Sequence, residues 1–399
     1  MKSLSLSPFS SPRRRLLPLV CGAWILVTLP ALALHPQITK LNGKSTESRA
    51  NNEFGTAVAV TERWIAVGDP GHGEKGAGAG AVHIFNARNG RYVKRLFGSD
   101  TGAGDSFGTS VSLCGNRLLV GAPDRNDAGD FSGAAYLFDL VRGVEIAKLT
   151  SGTAEAFEYF GASVALSESA AVVGAVGGDG QAVDSGTIQI FDPSDGSPKV
   201  FPAAGLPNTP FQPNDGATGD EFGAAIALCN RLLFVGAPAA SADAGKVYLF
   251  DLATGIRMRT TNNPGGANAA RFGQAIAADG GKLAVGAPND DEIATGAGAG
   301  YVYDAIEGSL VGKWTDEYGQ AGDALGNSVA TSRGLILFGG VLAEGFQSTS
   351  GKVFLVDAGS GRLLQELFTN DGKANDFFGS AVALCDNLAV VGAPGVDST

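Results

Sequence analysis

A phrase of about eighteen residues recurs seven times in this chain, and no other feature restricts its fold as much. Phe-Gly stands at Phe54, Phe107, Phe160, Phe222, Phe272 and Phe378, with Leu325 in place of the Phe once. Fourteen residues after each start comes a Gly: Gly68, Gly121, Gly174, Gly236, Gly286, Gly339 and Gly392. Pro follows two residues later at Pro70, Pro123, Pro238, Pro288 and Pro394, while Val176 and Val341 depart from the pattern. The internal distance is fixed, but successive starts are 53, 53, 62, 50, 53 and 53 residues apart. A rigid unit joined by elastic loops at a period near 50 points to a propeller or a similar array.

Each copy reads as four short strands. Four residues after the start is a β-branched residue, such as Val111 or Val382, flanked on both sides by Ala or Ser. Alternate residues face opposite sides of a sheet, so one face is bulky, the other small, and neither charged. That composition suits the crowded innermost strand of a propeller blade. A second apolar strand follows, then a variable loop. A third strand ends in an aromatic-Asp pair such as Phe138-Asp139 or Tyr303-Asp304, with Gly143 or Gly308 four residues on as a turn residue. A fourth strand closes the unit, and no helical periodicity appears.

Phe-Gly followed at fixed distance by Gly-Ala-Pro resembles the FG-GAP repeat of integrin α-subunits and of many bacterial exported proteins. The resemblance spans residues 38–399 and implies an all-β, seven-bladed β-propeller of four-stranded antiparallel blades. The expected propeller occupies residues 34–399. Copy seven stops after its second strand, so the last blade is expected to be incomplete or closed by the N-terminal strand. Ile38–Leu41 reads as that fourth strand. The expectation is either an open edge on Leu388–Val391 or pairing of that edge with residues 36–42.

The chain opens with Arg13-Arg14-Arg15, an apolar run over 16–29 and Ala31-Leu32-Ala33. These are the parts of a secretory signal peptide, read as residues 1–33. Its loss removes four positive charges and no acid, so the formal charge falls from −11 to −15. An acidic exported surface argues against nucleic acid and anionic lipid as partners. The expected location is secreted, periplasmic or at the cell surface, with no integral membrane segment after cleavage. Cys114, Cys229 and Cys385 fall at one register in separate copies, too far apart to bridge.

Chemistry-bearing motifs are sparse. Residues 71–76 match a dinucleotide fingerprint formally, but no helix follows to hold a phosphate. The three histidines, His35, His72 and His83, sit at unrelated positions in the sequence. The linkers between first and second strands lack the alternating oxygens of a calcium loop. The family's usual metal site is therefore not carried over. The loop Asp124-x-Asn126-x-Ala128-Gly129-Asp130 has Ala at its fifth position and Ala135 where a calcium loop needs Glu. No metal ligand, cofactor or catalytic residue is assigned, calcium being the one cofactor the acidic loops leave open.

Two rows of carboxylates precede the starts. Asp105, Glu158, Asp220, Asp323 and Asp376 lie two residues upstream and read as turn caps. Asp100, Asp215 and Asp371 lie five residues further upstream and, with Asp290 and Asp291, read as ligand-binding. In a four-stranded blade the fourth-to-first and second-to-third loops share one face, and here they are the long and variable ones, Pro202–Gly219 being the longest insertion. The expected function is a nonenzymatic binding or adhesion module for a protein or glycan ligand. The alternatives are an exported polysaccharide-processing enzyme with an acidic axial pocket and a structural component of an envelope assembly.

Overall fold

A computed structural model describes residues 25–28, 37–41, 53–153, 155–199, 211–266, 269–345 and 347–396. Most of the leader read at residues 1–33, His35, and residues 202–210 of the long insertion lie outside them. The chain is an all-β propeller of antiparallel blades, and no helix occurs among the described residues.

Six sheets are each built from one contiguous stretch, five of four strands and one of three. The second of these shows the pattern. Its inner strand Ser110–Cys114 pairs with Arg117–Ala122, which pairs with Ala134–Asp139, which pairs with Val144–Leu149. The second and third strands of a blade are almost wholly buried, as in Trp64–Asp69 and Ala134–Asp139, while outer strands such as Val144–Leu149 are partly exposed. The three-stranded sheet, Phe160–Leu166, Ala171–Ala175 and Thr187–Phe191, is followed by the stretch outside the described residues.

The remaining sheet is composite. Val382–Cys385 pairs with Leu388–Val391, Leu388–Val391 pairs with Ile25–Thr28, and Ile25–Thr28 pairs with Gln37–Lys40. The edge of Leu388–Val391 is neither open nor paired with residues 36–42, which corrects the sequence-based expectation. The backbone polar groups of that edge need partners. Ile25–Thr28 supplies them in the third position, and residues 37–40 take the fourth.

The core lies between blades. One buried cluster joins Phe234, Val247 and Leu249 of one blade to Leu283, Val285 and Tyr301 of the next. Inner strands pack on one another in chain order, and Val382–Cys385 packs on Val58–Val60 to close the sequence of contacts.

The recurring glycines have a common steric origin. The Gly of each Phe-Gly, such as Gly161 (φ +99°) or Gly223 (φ +96°), adopts a conformation that disfavours side chains. Its carbonyl then lies against the Cα of the Gly that opens Gly-Ala-Pro in the preceding copy. A Cβ on Gly121 would stand 2.0 Å from Gly161 O, and one on Gly236 2.1 Å from Gly273 O. Ser110 and Ser163 use their small side chains to donate to the same carbonyls, Gly161 O at 2.7 Å and Gly223 O at 2.5 Å. The phrase is therefore the contact between successive blades. Its Phe packs within the blade: Phe107 meets Tyr136 and Phe138 edge-on at 5.4 and 6.1 Å.

The aromatic-Asp pair ends the third strand for a local reason. Asp139 Oδ1 accepts hydrogen bonds from Val141 N and Arg142 N, both at 2.9 Å, and Gly143 N donates to Asp139 O at 2.8 Å. Asp251 and Asp304 repeat the turn.

Ala227 sits buried on an inner strand. Ala227→Leu should overpack that strand and destabilise the fold by about 1–3 kcal/mol. A denaturant melt of the variant checks this, and an unchanged midpoint would contradict the packing.

Candidate functional site

The long loops meet on one face. Gly80 bridges Phe107, Gly133 bridges Phe160 and Gly298 bridges Leu325, so each second-to-third loop is joined to the loop entering the next copy. Backbone bonds such as Ser106 N to Gly78 O and Tyr159 N to Phe131 O, both 3.0 Å, continue the seam.

The nearer row of carboxylates is turned into these loops. Asp105, Asp220, Asp323 and Asp376 are buried, and each accepts a hydrogen bond at 2.7–2.8 Å from the backbone N–H three residues upstream. Glu158, also buried, instead accepts from the Thr153 hydroxyl, and its Oε2 has no partner. Burial raises the Asp323 and Asp376 carboxyls above their usual range despite those backbone bonds.

The other five carboxylates are engaged by the chain's own cations and amides. Asp100 accepts from Tyr136 Oη at 2.8 Å, Arg125 at 2.8 Å and Lys148 at 2.7 Å, and Arg125 also pairs with Asp105 and Asp127. Asp215 pairs with Arg257 and Asp371 with Lys40. Asp291 Oδ1 accepts from Gly296 N at 2.7 Å, closing its loop. Asp290 is buried and accepts from Tyr301 Oη at 2.7 Å and from Lys313 at 2.9 Å, with the lysine over the tyrosine ring. Three tyrosines at one strand register, Tyr136, Tyr248 and Tyr301, each carry such a cation.

Burial opposes ionisation of Asp290, yet hydrogen bonds from Lys313 and Tyr301 hold its carboxyl below the usual range. Its contribution to stability is therefore full above the ordinary Asp value of about 4 and is lost as pH falls through the depressed value. Lys313→Met should destabilise the fold by roughly 2 kcal/mol at neutral pH and by much less in acid, once Asp290 is protonated. Melts of the two proteins across the acid limb check the convergence.

Two features of the site were not read from sequence. The first is an aromatic stack at the seam between copies two and three. Phe131 lies 5.8 Å from Phe157 and 5.7 Å from Tyr159, centre to centre, with interplanar angles of 30° and 29°. Phe131 and Phe157 are 38% and 51% exposed, large values for rings of this size. Both have left-handed backbones, φ +55° and +64°. At the first position other copies place Gly78, Asp184, Asp243, Gly296 and Thr349, and at the second Gly104, Gly219, Ala269, Gly322 and Asn375. All ten share the positive φ. A bulky ring there carries strain of about 1–2 kcal/mol that glycine avoids. The repeat comparison, Phe where the register demands left-handed residues, was the available signal.

The second feature corrects the reading of the histidines as unrelated. Residues 72 and 83 converge on Asp69: His72 Nδ1 lies 3.1 Å and His83 Nε2 3.3 Å from Asp69 Oδ2. All three residues are buried, and their ligand atoms lie within 4.8 Å of one another. The signal in the sequence was Asp69, which stands where the other copies place Ala122, Ala175, Ala237, Ala287, Gly340 and Ala393.

On the opposite face, the inner-strand turns surround an opening lined by Thr61, Glu62, Asn116, Asp279, Ser332 and Cys385. Glu62 and Asp279 are its carboxylates, and Asp279 Oδ2 accepts from Arg333 N at 2.7 Å.

The blades and their loop face define a repeat β-propeller. The FG-GAP repeat family matches residues 91–138, 144–191, 210–250, 263–303 and 362–399. The chain belongs to that family. Among solved structures it is similar to the computationally designed Ika8 protein, crystallised in P63, at 15% identity, with a TM-score of 0.53 over 94% of each chain. That likeness concerns the fold alone. No curated protein shows significant similarity to the chain. Among the described residues no helix is long and apolar enough to cross a membrane.

Proposed function

We propose that this chain is an exported, nonenzymatic binding module, a seven-bladed propeller that presents its long-loop face to a protein or glycan ligand. The observation that carries the reading is the stack of Phe131, Phe157 and Tyr159, with the two phenylalanines exposed and all three rings held on left-handed backbones. Strained, exposed aromatics on a rigid scaffold suit recognition, because flat rings supply contact area with few rotatable bonds to order. Asp100 and Asp127, paired with Arg125 and Lys148, add polar groups to the same loop face, Asp127 in the loop that carries Phe131. The seven-blade count is supported by the seven copies and by the packing of inner strands from Val58–Val60 round to Val382–Cys385.

Export is supported by the leader-like composition of residues 1–33. Cleavage after Ala33 would remove Ile25–Thr28 from the composite sheet and leave Leu388–Val391 unpaired on that side. Intact mass of the exported chain tests this, and the proposal expects a mature N-terminus at Leu34. Protein and glycan arrays probed with the purified chain test the binding role. Binding that weakens in Phe157→Gly is the expected result, and no binding above background, or binding unchanged in that variant, would refute it.

A further inference from the structure

We propose that Asp69, His72 and His83 form a binding site for a divalent transition metal of the zinc class within the first blade. Two imidazole nitrogens and a carboxylate oxygen converge there, separated by 3.1 and 3.3 Å from the shared oxygen. Those separations suit ligands about 2.0–2.2 Å from one tetrahedral ion. Nitrogen donors favour zinc and its neighbours over calcium, which takes oxygen ligands.

Several observations set the trio apart from ordinary core polarity. The residues are 2%, 4% and 0% exposed, so a carboxylate has been carried into the core beside two imidazoles. Asp69 Oδ1, His72 Nε2 and His83 Nδ1 have no hydrogen-bond partner, although buried polar atoms rarely go without one. The hydrogen bonds in place crowd two ring N–H groups onto a single oxygen. A metal ion at that point would replace both protons and move each imidazole to its other tautomer. His72 Nε2–H would then face Glu74 Oε2, 3.7 Å away, the carboxylate-to-histidine relation that orients many metal ligands.

The repeats show that these side chains are not needed to build a blade. In place of Asp69 the other copies have Ala or Gly. The His72 register varies among the other copies, with Arg125, Gly178, Ala240, Asp290, Ala343 and Val396, and in place of His83 they have Tyr136, Gln189, Tyr248, Tyr301 and Phe354. Asp69 and His83 depart from their registers in the same blade, and both meet His72 at one point.

The test titrates Zn2+, Co2+ and Ca2+ separately into the metal-stripped full chain, alongside Asp69→Ala and the triple variant Asp69→Ala/His72→Ala/His83→Tyr. Each replacement is one that another copy carries at that register. The expected result is one Zn2+ bound per parent chain and a melting temperature raised by roughly 3 °C or more at saturation. Co2+ should give visible ligand-field bands, and Ca2+ should have no comparable effect. Asp69→Ala should weaken Zn2+ binding at least tenfold, and the triple variant should lose the Co2+ bands. Equal Zn2+ binding by parent and variants would place the metal on the acidic surface and overturn the proposal. So would a parent without Co2+ bands, a readout that stands even if a variant fails to fold.

Discussion

Gly286→Ala should unfold this protein far below the parent's melting temperature. The added Cβ would lie 1.9 Å from Gly326 O and 2.8 Å from Gly326 C, both backbone atoms of the next blade. Neither side can yield cheaply. Gly326 is fixed at φ +86°, and Gly286 is buried in the strand Lys282–Ala287, paired on both edges. The expected loss is about 4 kcal/mol or more, at the far end of single substitutions, or roughly 8 °C or more in melting temperature. Gly312→Ala is the matched control. Nothing lies within 4 Å of a Cβ there, so the change should be neutral or slightly stabilising through lower entropy of the unfolded chain. Similar melting temperatures for the two variants would show that the glycine-to-carbonyl contact does not hold blades together.

The second large effect concerns binding and not folding. Replacing Phe131 and Phe157 together by Gly removes the stack but also relieves two left-handed backbones. Ring stacking contributes about 0.5–1.5 kcal/mol, and the relieved strain is of similar size, so stability should stay within about 1 kcal/mol of the parent. Affinity for the array-identified ligand should fall about thirtyfold or more, the loss of roughly 2 kcal/mol typical of a hot spot. Val141→Ser, an exposed residue in a third-to-fourth turn, should change neither. Calorimetry and thermal melts on the three proteins separate the outcomes. A large drop in stability with unchanged affinity would make the stack a structural feature.

What could be read in advance follows from how the information is stored. Blade architecture was legible because the Phe-Gly and Gly-Ala-Pro glycines act locally and recur at fixed distance. The reason for the distance was not, since it depends on a carbonyl in the next copy meeting the glycine Cα. The composite sheet was only half legible. Residues 37–40 resemble other fourth strands, whereas Ile25–Thr28 carries no aromatic-Asp signature and sits inside a leader-like run. The acidic candidates at Asp100, Asp215, Asp371 and Asp290 were visible as charges, but their cations Arg125, Lys148, Arg257, Lys40 and Lys313 come from other strands and loops. The trio of Asp69, His72 and His83 escaped a search for repeated chemistry because it breaks the repeat.

Hydroxyl-radical footprinting of the chain with and without its array-identified ligand tests the binding-face account most directly. The account predicts strong protection of Phe131, Phe157 and Tyr159, with Val141 and Ile306 on the opposite turns unchanged. Protection of Val141 and Ile306, with the three aromatics as reactive as in the free chain, would contradict it.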